Sequence, residues 1–492
     1  MSNFITPLLL LLSFFTTLVS STSPFSPIDH YLINCGSHNP TTTDLDHRIF
    51  TGDDDSSTTN SASQFLTITP SSTRTIPCAN SDPSPISSPL YRTARAFNRP
   101  FKYTFRIQDR RTTHHLVRLH FHPFFNNSSF FDFSLAKFHV LANGFLLLHD
   151  FSIENNYQKV GGVIIKEYMI RVGDSDKLEI SFVPLKRSNF AFVNAIEVIS
   201  APKDLIADVA QFVSSERNER VDGLLKNGFE TVYRVNVGGP KVTPFNDSLW
   251  RTWVPDDEYL KKSGDDGLFD VHFGGWIQYR VGGASREVGP DNVYNSARVI
   301  KSLNGSIPKS NITWLFPGIE GYKYLVRLHF CDIASVVANL LYFNVYVNGN
   351  LAYENLDLSA MTNMLLASPF YADFVVEGSD SAFLTVSVGP SNLSFPNAVD
   401  AILNGVEVFK INNSMGSFDG QICAQSVMKS WKRGNVGVVV PLLAAVFLLL
   451  TASVVVQRRR CGLGDKVGWS RLPVDVSEVN LKYGSQQSAG KL

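Results

Sequence analysis

Along much of the chain, apolar and polar residues alternate. Phe343, Val345 and Val347 interleave with Asn344, Tyr346 and Asn348, and Leu384, Val386 and Val388 interleave with Thr385 and Ser387. A period of two turns one side of a segment toward a core and the other toward water, so these are half-buried strands. Asn143-Gly144 and Asn348-Gly349 follow two such runs, and Asn-Gly readily takes the positive φ angles of a tight hairpin. Stretches rich in Ser, Thr, Pro and Asp, such as TGDDDSSTTNSAS from Thr51 and PSSTRTIPCANSDPSPISSP from Pro70, separate the strands. Short strands, long polar loops and little helical periodicity predict antiparallel β-sandwiches, an all-β fold.

Two stretches break the alternation. Val436 to Val456 carries no charge, and about 20 apolar residues cross a hydrocarbon core of roughly 30 Å. A single transmembrane helix is predicted over 436–456. Pro441 is tolerable near the end of such a span, where neighbouring groups satisfy the freed carbonyl. At the other end, Leu8 to Val19 is apolar and Val19 and Ser21 sit at a cleavage position, which predicts a signal peptide over 1–21, although its first residues lack Lys and Arg. Arg458, Arg459 and Arg460 mark the cytoplasmic flank, diluted by Lys429, Lys432 and Arg433 on the other side. The leader decides the orientation, which is type I: residues before the span outside the cell, and a short tail, 457–492, inside.

Asn-x-Ser/Thr sequons fit that topology. They fall at Asn126, Asn127, Asn246, Asn304, Asn311, Asn392 and Asn412, all before the span. The 44 basic residues are balanced by 44 acidic ones, and no basic patch with interleaved aromatics appears, so nucleic acid is excluded as a partner. Of the five cysteines, Cys35, Cys78, Cys331 and Cys423 lie outside and Cys461 inside. Four cysteines in an oxidising compartment allow three pairings, which the sequence leaves open. Pairing within each half, Cys35 with Cys78 and Cys331 with Cys423, is the expectation. Cys461 is expected to be a reduced thiol.

The outer part is too long for one ordinary domain, and it contains a repeat. LVRLHFHPF from Leu116 returns as LVRLHFCDI from Leu325, FHVLANG from Phe138 as FNVYVNG from Phe343, and YLINCGS from Tyr31 as YRVNVGG from Tyr233. YRTAR from Tyr91 matches YNSAR from Tyr294, and NAIEVI from Asn194 is matched to NAVDAI from Asn397. Two homologous domains are predicted, 24–200 and 230–411, joined by a connector over 201–229 and followed by an extracellular juxtamembrane segment over 412–435.

YRVNVGGPKVTPFNDSLWRTWVPDDEYL, with RLHFCDI and the NAVDAI ending, resembles the malectin-like ectodomain of plant receptor-like kinases of the FERONIA/THESEUS type. The resemblance covers nearly all of the chain from about Tyr31 through the apolar span. It implies two tandem malectin-like domains facing the cell wall at the plasma membrane and a Ser/Thr kinase inside. It implies growth or wall-integrity signalling, with secreted peptides of the RALF type, GPI-anchored co-receptors and pectin as extracellular contacts. A kinase needs a domain-sized core; the residues from Gln457 to Leu492 contain no Gly-rich phosphate loop, no Val-Ala-Ile-Lys strand, no His-Arg-Asp loop and no Asp-Phe-Gly. Two readings stay open: a kinase-less receptor-like protein acting as co-receptor or decoy, not an enzyme, or a shortened form of a transmembrane Ser/Thr receptor kinase.

Malectin itself holds a disaccharide with rim aromatics and an Asp, because sugar C–H faces stack on rings while carboxylates accept hydrogen bonds from hydroxyls. In the second domain the rim place is held by Ala334 and Ser335; in the first, Phe124 and Phe125 fall near it, and the rim Asp is matched by Phe192 and Phe395. Phe124, Phe125, Tyr91 and Tyr294 are the candidate ligand contacts, although recurrence of the Tyr-x-Thr/Ser-Ala-Arg motif favours a structural role. His114, His115, His120 and His122 lack a matching ligand set in the second copy, so no metal site is assigned. Runs at Asp53, Asp54 and Asp55, at Asp256, Asp257 and Glu258, and at Asp265 and Asp266 read as solvated turn residues rather than a glycosidase pair or a calcium site. No cofactor is implied. The preferred ligand location is the interdomain groove beside the connector, for a basic peptide or demethylated pectin rather than a neutral glucan.

Overall fold

The computed structural model describes residues 25–53, 66–69, 75–80, 88–110, 114–124, 132–155, 162–173, 176–216, 218–261, 267–280, 282–302, 305–318, 320–378, 382–433 and 436–461. Side chains are described at all of these except 66–69, 75, 432–442 and 461. The signal-peptide region, Phe125, Asn126, Asn127, Asn304, Asp54, Asp55, Asp265, Asp266 and the tail beyond Cys461 lie outside the described residues.

The alternating segments form two sandwiches. In the first, strands His30–Asn34, His114–Phe121, Ile164–Arg171 and Ala195–Ser200 belong to one sheet, and Phe101–Arg106, Lys137–Ala142, Phe145–Ser152 and Lys177–Pro184 to another. Ile33, Val117 and Leu119 from one meet Tyr103, Val140 and Ile180 from the other in a single core. In the second, Phe229–Asn236, Lys323–Cys331, Pro369–Glu377 and Gly405–Ile411 face Ile312–Pro317, Tyr342–Val347, Asn350–Asp357 and Phe383–Pro390 across a core of Val326, Leu328, Trp314 and Val386. Asn143 and Asn348 take φ of 43° and 50° at the expected hairpins.

The sandwiches are not separate beads. Strand Ile164–Arg171 of the first pairs antiparallel with Phe229–Asn236 of the second, with Tyr168 opposite Glu230 and Met169 opposite Phe229. The two inner sheets thereby merge into one sheet of 13 strands. A shared apolar layer of Leu116, Met169, Ile199, Phe229, Leu325 and Phe409 seals the junction. Within the expected connector, Val209–Val213 and Asn218–Asp222 form a hairpin that joins strand Pro369–Glu377 in parallel. That stretch is therefore part of the second sandwich.

The repeat register differs from the sequence reading at its last element. Ala195–Ser200 pairs with the strand at Tyr31, and the strand that pairs with Tyr233 in the same way is Gly405–Ile411. Asn194 accepts the His122 amide through Oδ1, as Asn404 accepts that of Cys331. The partner of NAIEVI is thus NGVEVF from Asn404, not NAVDAI from Asn397.

The segment after Ile411 folds back onto the first sandwich. Leu146 donates its amide to Gly416 O at 2.9 Å and accepts from Phe418 N at 2.9 Å. Asp419 accepts the His149 amide at 3.0 Å, and the Phe418 ring is fully buried among first-domain residues. Helix Ala424–Arg433 follows. The chain divides into two compact units, Met1–Lys429 and Ser430–Leu492. The second contains helix Val436–Cys461, of 26 residues, over the expected span. Among the described residues no helix is long and apolar enough to cross a membrane.

Candidate functional site at the junction of the repeats

The recurring motifs build one buried arrangement twice. In the first repeat, the Tyr91 hydroxyl lies 3.0 Å from His120 Nδ1, and His120 Nε2 lies 2.9 Å from Glu197. In the second, Tyr294 lies 3.0 Å from His329 Nδ1, and His329 Nε2 lies 3.2 Å from Glu407. Tyr91 and Tyr294 are buried, and burial pushes both hydroxyls above the ordinary tyrosine range. Neither is positioned to meet a ligand from solvent, which corrects their candidacy. Aromatic bulk and a hydroxyl that orients a buried histidine explain why both copies keep them.

The arginine of the same motif has a second task. Arg95 donates to Asp53, which also accepts from the Gly36 amide and the Tyr103 hydroxyl. Arg298 donates to Asp256, which also accepts from the Gly238 amide and the Trp314 indole. Gly36 and Gly238 have φ of 73° and 65°, and a Cβ there would meet the carbonyl oxygens of Ala94 and Ala297 at 2.1 and 2.5 Å. The first acids of two of the runs, Asp53 and Asp256, are thus buried keystones, while Asp257 and Glu258 remain exposed. Asp53 and Asp256 need three donors each to be buried as anions, and the period-two pattern carried no trace of that demand.

Glu167 joins the two copies. It accepts from Arg118 of its own repeat at 2.5 Å, and from Arg234 and Thr231 of the other at 2.7 and 2.8 Å. Arg234 also donates to Glu407 at 2.6 Å, and Arg118 to Glu197 at 2.8 Å. Burial alone would raise the three glutamates, but the arginines outweigh it and hold Glu167, Glu197 and Glu407 well below the usual carboxylate range. This charged chain specifies how one repeat registers against the other.

The remaining candidates separate. Phe124 is half-buried, its ring 4.7 Å from that of Phe133 at the edge of the first core. Phe192 lies in that core, fully buried. Phe395 is exposed beside Tyr342. His114 and His115 bond Asn227 O and Asp29. Among the described residues no His, Cys, Asp and Glu group is arranged to hold a metal.

Cys331 and Cys423 do not meet, which corrects the expected pairing. Cys331 ends a second-domain strand and packs with Tyr294 and Ile277, whereas Cys423 lies beside the helix placed on the first sandwich. Both are free thiols in the structure, as is Cys35. Cys35 and Cys78 share the first core, and both border Ala94, through Gly36 and through strand pairing. Asn246, Asn311 and Asn392 are exposed, as sequons require. The Asn412 amide is engaged, accepting from Gly228 N and donating to Asn413 O.

A cavity of about 400 Å³ opens where the connector meets the second domain, bordered by Phe212, Leu224, Asn227, Tyr322, Lys323 and Asn412. It is the described cleft that coincides with the preferred ligand location.

Two tandem sandwiches fused through one sheet, with this duplicated core, define a malectin-type ectodomain. The model of the malectin-like domain matches residues 33–411. A probable receptor-like protein kinase of Arabidopsis thaliana is 44% identical over 412 residues, covering 83% of this chain and 47% of the relative. THESEUS 1 of the same plant is 39% identical (86% and 46%) and FERONIA 33% identical (84% and 45%). The chain belongs to the malectin-like receptor-like kinase family of the FERONIA/THESEUS type, and it spans about half the length of the curated relatives it matches. The crystal structure of the plant receptor-like kinase FER is similar with TM-score 0.66 and 30% identity, covering 80% of this chain and 99% of that one. A crystal structure of the peptide RALF23 in complex with FER and LLG2 matches with TM-score 0.66 and 31% identity, over 81% and 99%.

Proposed function

We propose that this chain is the sensing part of a plant cell-surface receptor, type I in the plasma membrane and N-glycosylated, that reads a secreted basic peptide of the RALF type or pectin in growth or wall-integrity signalling. One observation carries the reading: the chain aligns over 81% of its length with an ectodomain solved in complex with a RALF peptide and LLG2. A GPI-anchored co-receptor is the corresponding partner. The proposed single span rests on the sequence, where the uncharged run from Val436 to Val456 is followed by Arg458, Arg459 and Arg460. The matched region acts by binding, either as a co-receptor or decoy or as the sensing ectodomain of a Ser/Thr receptor kinase, and sequencing the transcript through the Leu492 codon separates the two.

Ligand recognition through stacked rim rings is disfavoured because Phe124 packs on Phe133 and the second rim has Ala334 and Ser335. The cleft beside Lys323 and Tyr322 offers a cation, an aromatic ring and amide groups instead. Calorimetry with a RALF-type peptide, an oligogalacturonide and a neutral gluco-oligosaccharide tests this. Binding of the first or second that weakens in Lys323→Glu supports the reading; tight binding of the neutral glucan, lost in Phe124→Ala, overturns it.

A further inference from the structure

A groove of about 620 Å³ runs beneath the membrane-proximal helix Ala424–Arg433, between that helix and the sheet of the first sandwich. Leu141, Pro100, Phe101 and Met428 make its surface mainly apolar. At the Asn143-Gly144 turn it continues into a second cleft of about 560 Å³, with which it shares Asn143 and Glu179. Arg171, Lys177 and Lys226 line that cleft. The acid in its lining, Glu179, is bound to Lys102 at 2.8 Å, and Arg171 and Lys226 give the cleft a cationic wall. The groove size falls in the range of ligand sites, about 300 to 1,000 Å³.

The chemistry of the walls narrows the occupant. Strand Lys177–Pro184 under the groove pairs on both sides, with Phe101–Arg106 and with Lys137–Ala142. Its backbone donors and acceptors are consumed, and an extended peptide would find no edge to join. A saccharide would want exposed rings for stacking, whereas the aromatic lining the groove, Phe101, is almost fully buried. A hydrocarbon chain needs neither, only apolar contact. Cations at one end call for an anionic head. Lys429, at the groove, precedes Val436, the first residue of the long apolar helix, by seven positions, a tether of at most about 25 Å.

We propose that the groove and the basic cleft together form a binding site for an anionic phospholipid of the membrane in which the chain is anchored. The phosphate lies against Arg171, Lys177 and Lys226, and one acyl chain lies along Leu141 and Met428 beneath the helix. The site rests on the proposed membrane span.

The test uses the full chain in neutral detergent, with native mass spectrometry after adding equal amounts of phosphatidylglycerol and phosphatidylcholine of the same acyl length. Preferential retention of phosphatidylglycerol is expected. Arg171→Glu and Lys226→Glu, both at exposed positions, should each weaken it by about fivefold or more, and Met428→Asp should weaken it with the thermal midpoint unchanged. Equal retention of the two lipids, or no effect of the charge reversals, overturns the site. So does displacement of the lipid by millimolar inorganic phosphate or by oligogalacturonate, which would make the cleft a plain anion site. Carbonate extraction of cell membranes keeps the failures apart: release of the chain sinks the membrane reading, while retention without lipid preference sinks only the lipid site.

Discussion

Glu167 Oε1 and Arg234 Nη2 lie 2.7 Å apart across the boundary between the two sandwiches, and both are almost fully buried. Each has a further partner on its own side, Arg118 for Glu167 and Glu407 for Arg234. The interaction is thus the middle link of a chain that alternates in sign, and removing the Glu167 carboxylate takes a counter-charge from two buried arginines at once. Glu167→Gln should cost about 3–5 kcal/mol, the range for breaking a buried ion pair. Thr231→Val removes only a neutral donor to the same carboxylate and should cost about 1 kcal/mol. Thermal or urea denaturation of the ectodomain measures both. Equal, small effects would mean that the apolar layer around Met169 and Phe229 alone fixes the junction.

Stability should depend on pH in two steps. Burial, and next the neighbouring His149, push His139 down from 6.5 to about 4, and burial likewise lowers His114 and His329. A histidine held neutral in the fold contributes stability that is full above 6.5 and is lost as pH falls toward the folded value. For His139 alone that is on the order of 2–3 kcal/mol. Glu167, Glu197 and Glu407, held below their ordinary 4.5 by arginines, contribute stability present above 4.5 and lost below it. The denaturation midpoint should therefore be flat from pH 8 to 7, decline from 6.5 to 4.5, and drop more steeply beneath. His139→Asn should remove much of the first decline. A midpoint that rises on acidification through that window contradicts these assignments.

The alternation made the sandwiches legible, and the repeat made their number legible, because half-burial leaves a period-two trace and duplication an offset. Burial on both faces leaves no such trace. Strand His114–Phe121 is buried at every position, and its His120 and Arg118 are interior only because Glu197 and Glu167 reach them from other strands and Tyr91 from the 3-10 turn Pro89–Arg92. Yet a signal was present: Tyr-x-Thr/Ser-Ala-Arg, Arg-Leu-His-Phe and an Asn-x-x-Glu recur in both halves, as interlocking partners would. The last is ambiguous in sequence because Asn397-Ala-Val-Asp places an acid at the same offset and repeats the Asn-Ala start of NAIEVI, and only the pairing with Tyr233 picks out Asn404. The return of the chain after Ile411 had no counterpart in the first repeat to announce it.

The cysteines should differ in reactivity. Cys331 is buried and burial raises its thiol well above the ordinary range, while Cys423 is open to solvent and a hydrogen bond from Ser426 lowers its thiol. A maleimide reagent applied to the folded ectodomain should modify Cys423 within minutes and Cys331 only after denaturant. A peptide map showing Cys331 bridged to Cys423 would refute their separation. Cys35 and Cys78, both beside Ala94, remain the pair proposed to bridge on oxidation.

Phe418 offers the sharpest test of how the segment after Ile411 is held. Its ring is fully buried against Tyr168, at 5.4 Å between centroids, and near Phe145, at 6.1 Å, while Gly228 leaves it room. Those neighbours belong to the first sandwich and its junction, although Phe418 follows the last strand of the second. Phe418→Ala should cost about 3–5 kcal/mol, and Asp419→Ala, which frees the His149 amide, about 1 kcal/mol. Truncation after Ile411 should cost at least as much as Phe418→Ala. Hydrogen exchange should localise the loss to strands Phe145–Ser152 and Ile164–Arg171, leaving Ile312–Pro317 and Phe383–Pro390 protected. If exchange instead accelerates first in the second sandwich, the segment is an appendage of that domain, and its burial in the first carries no stability.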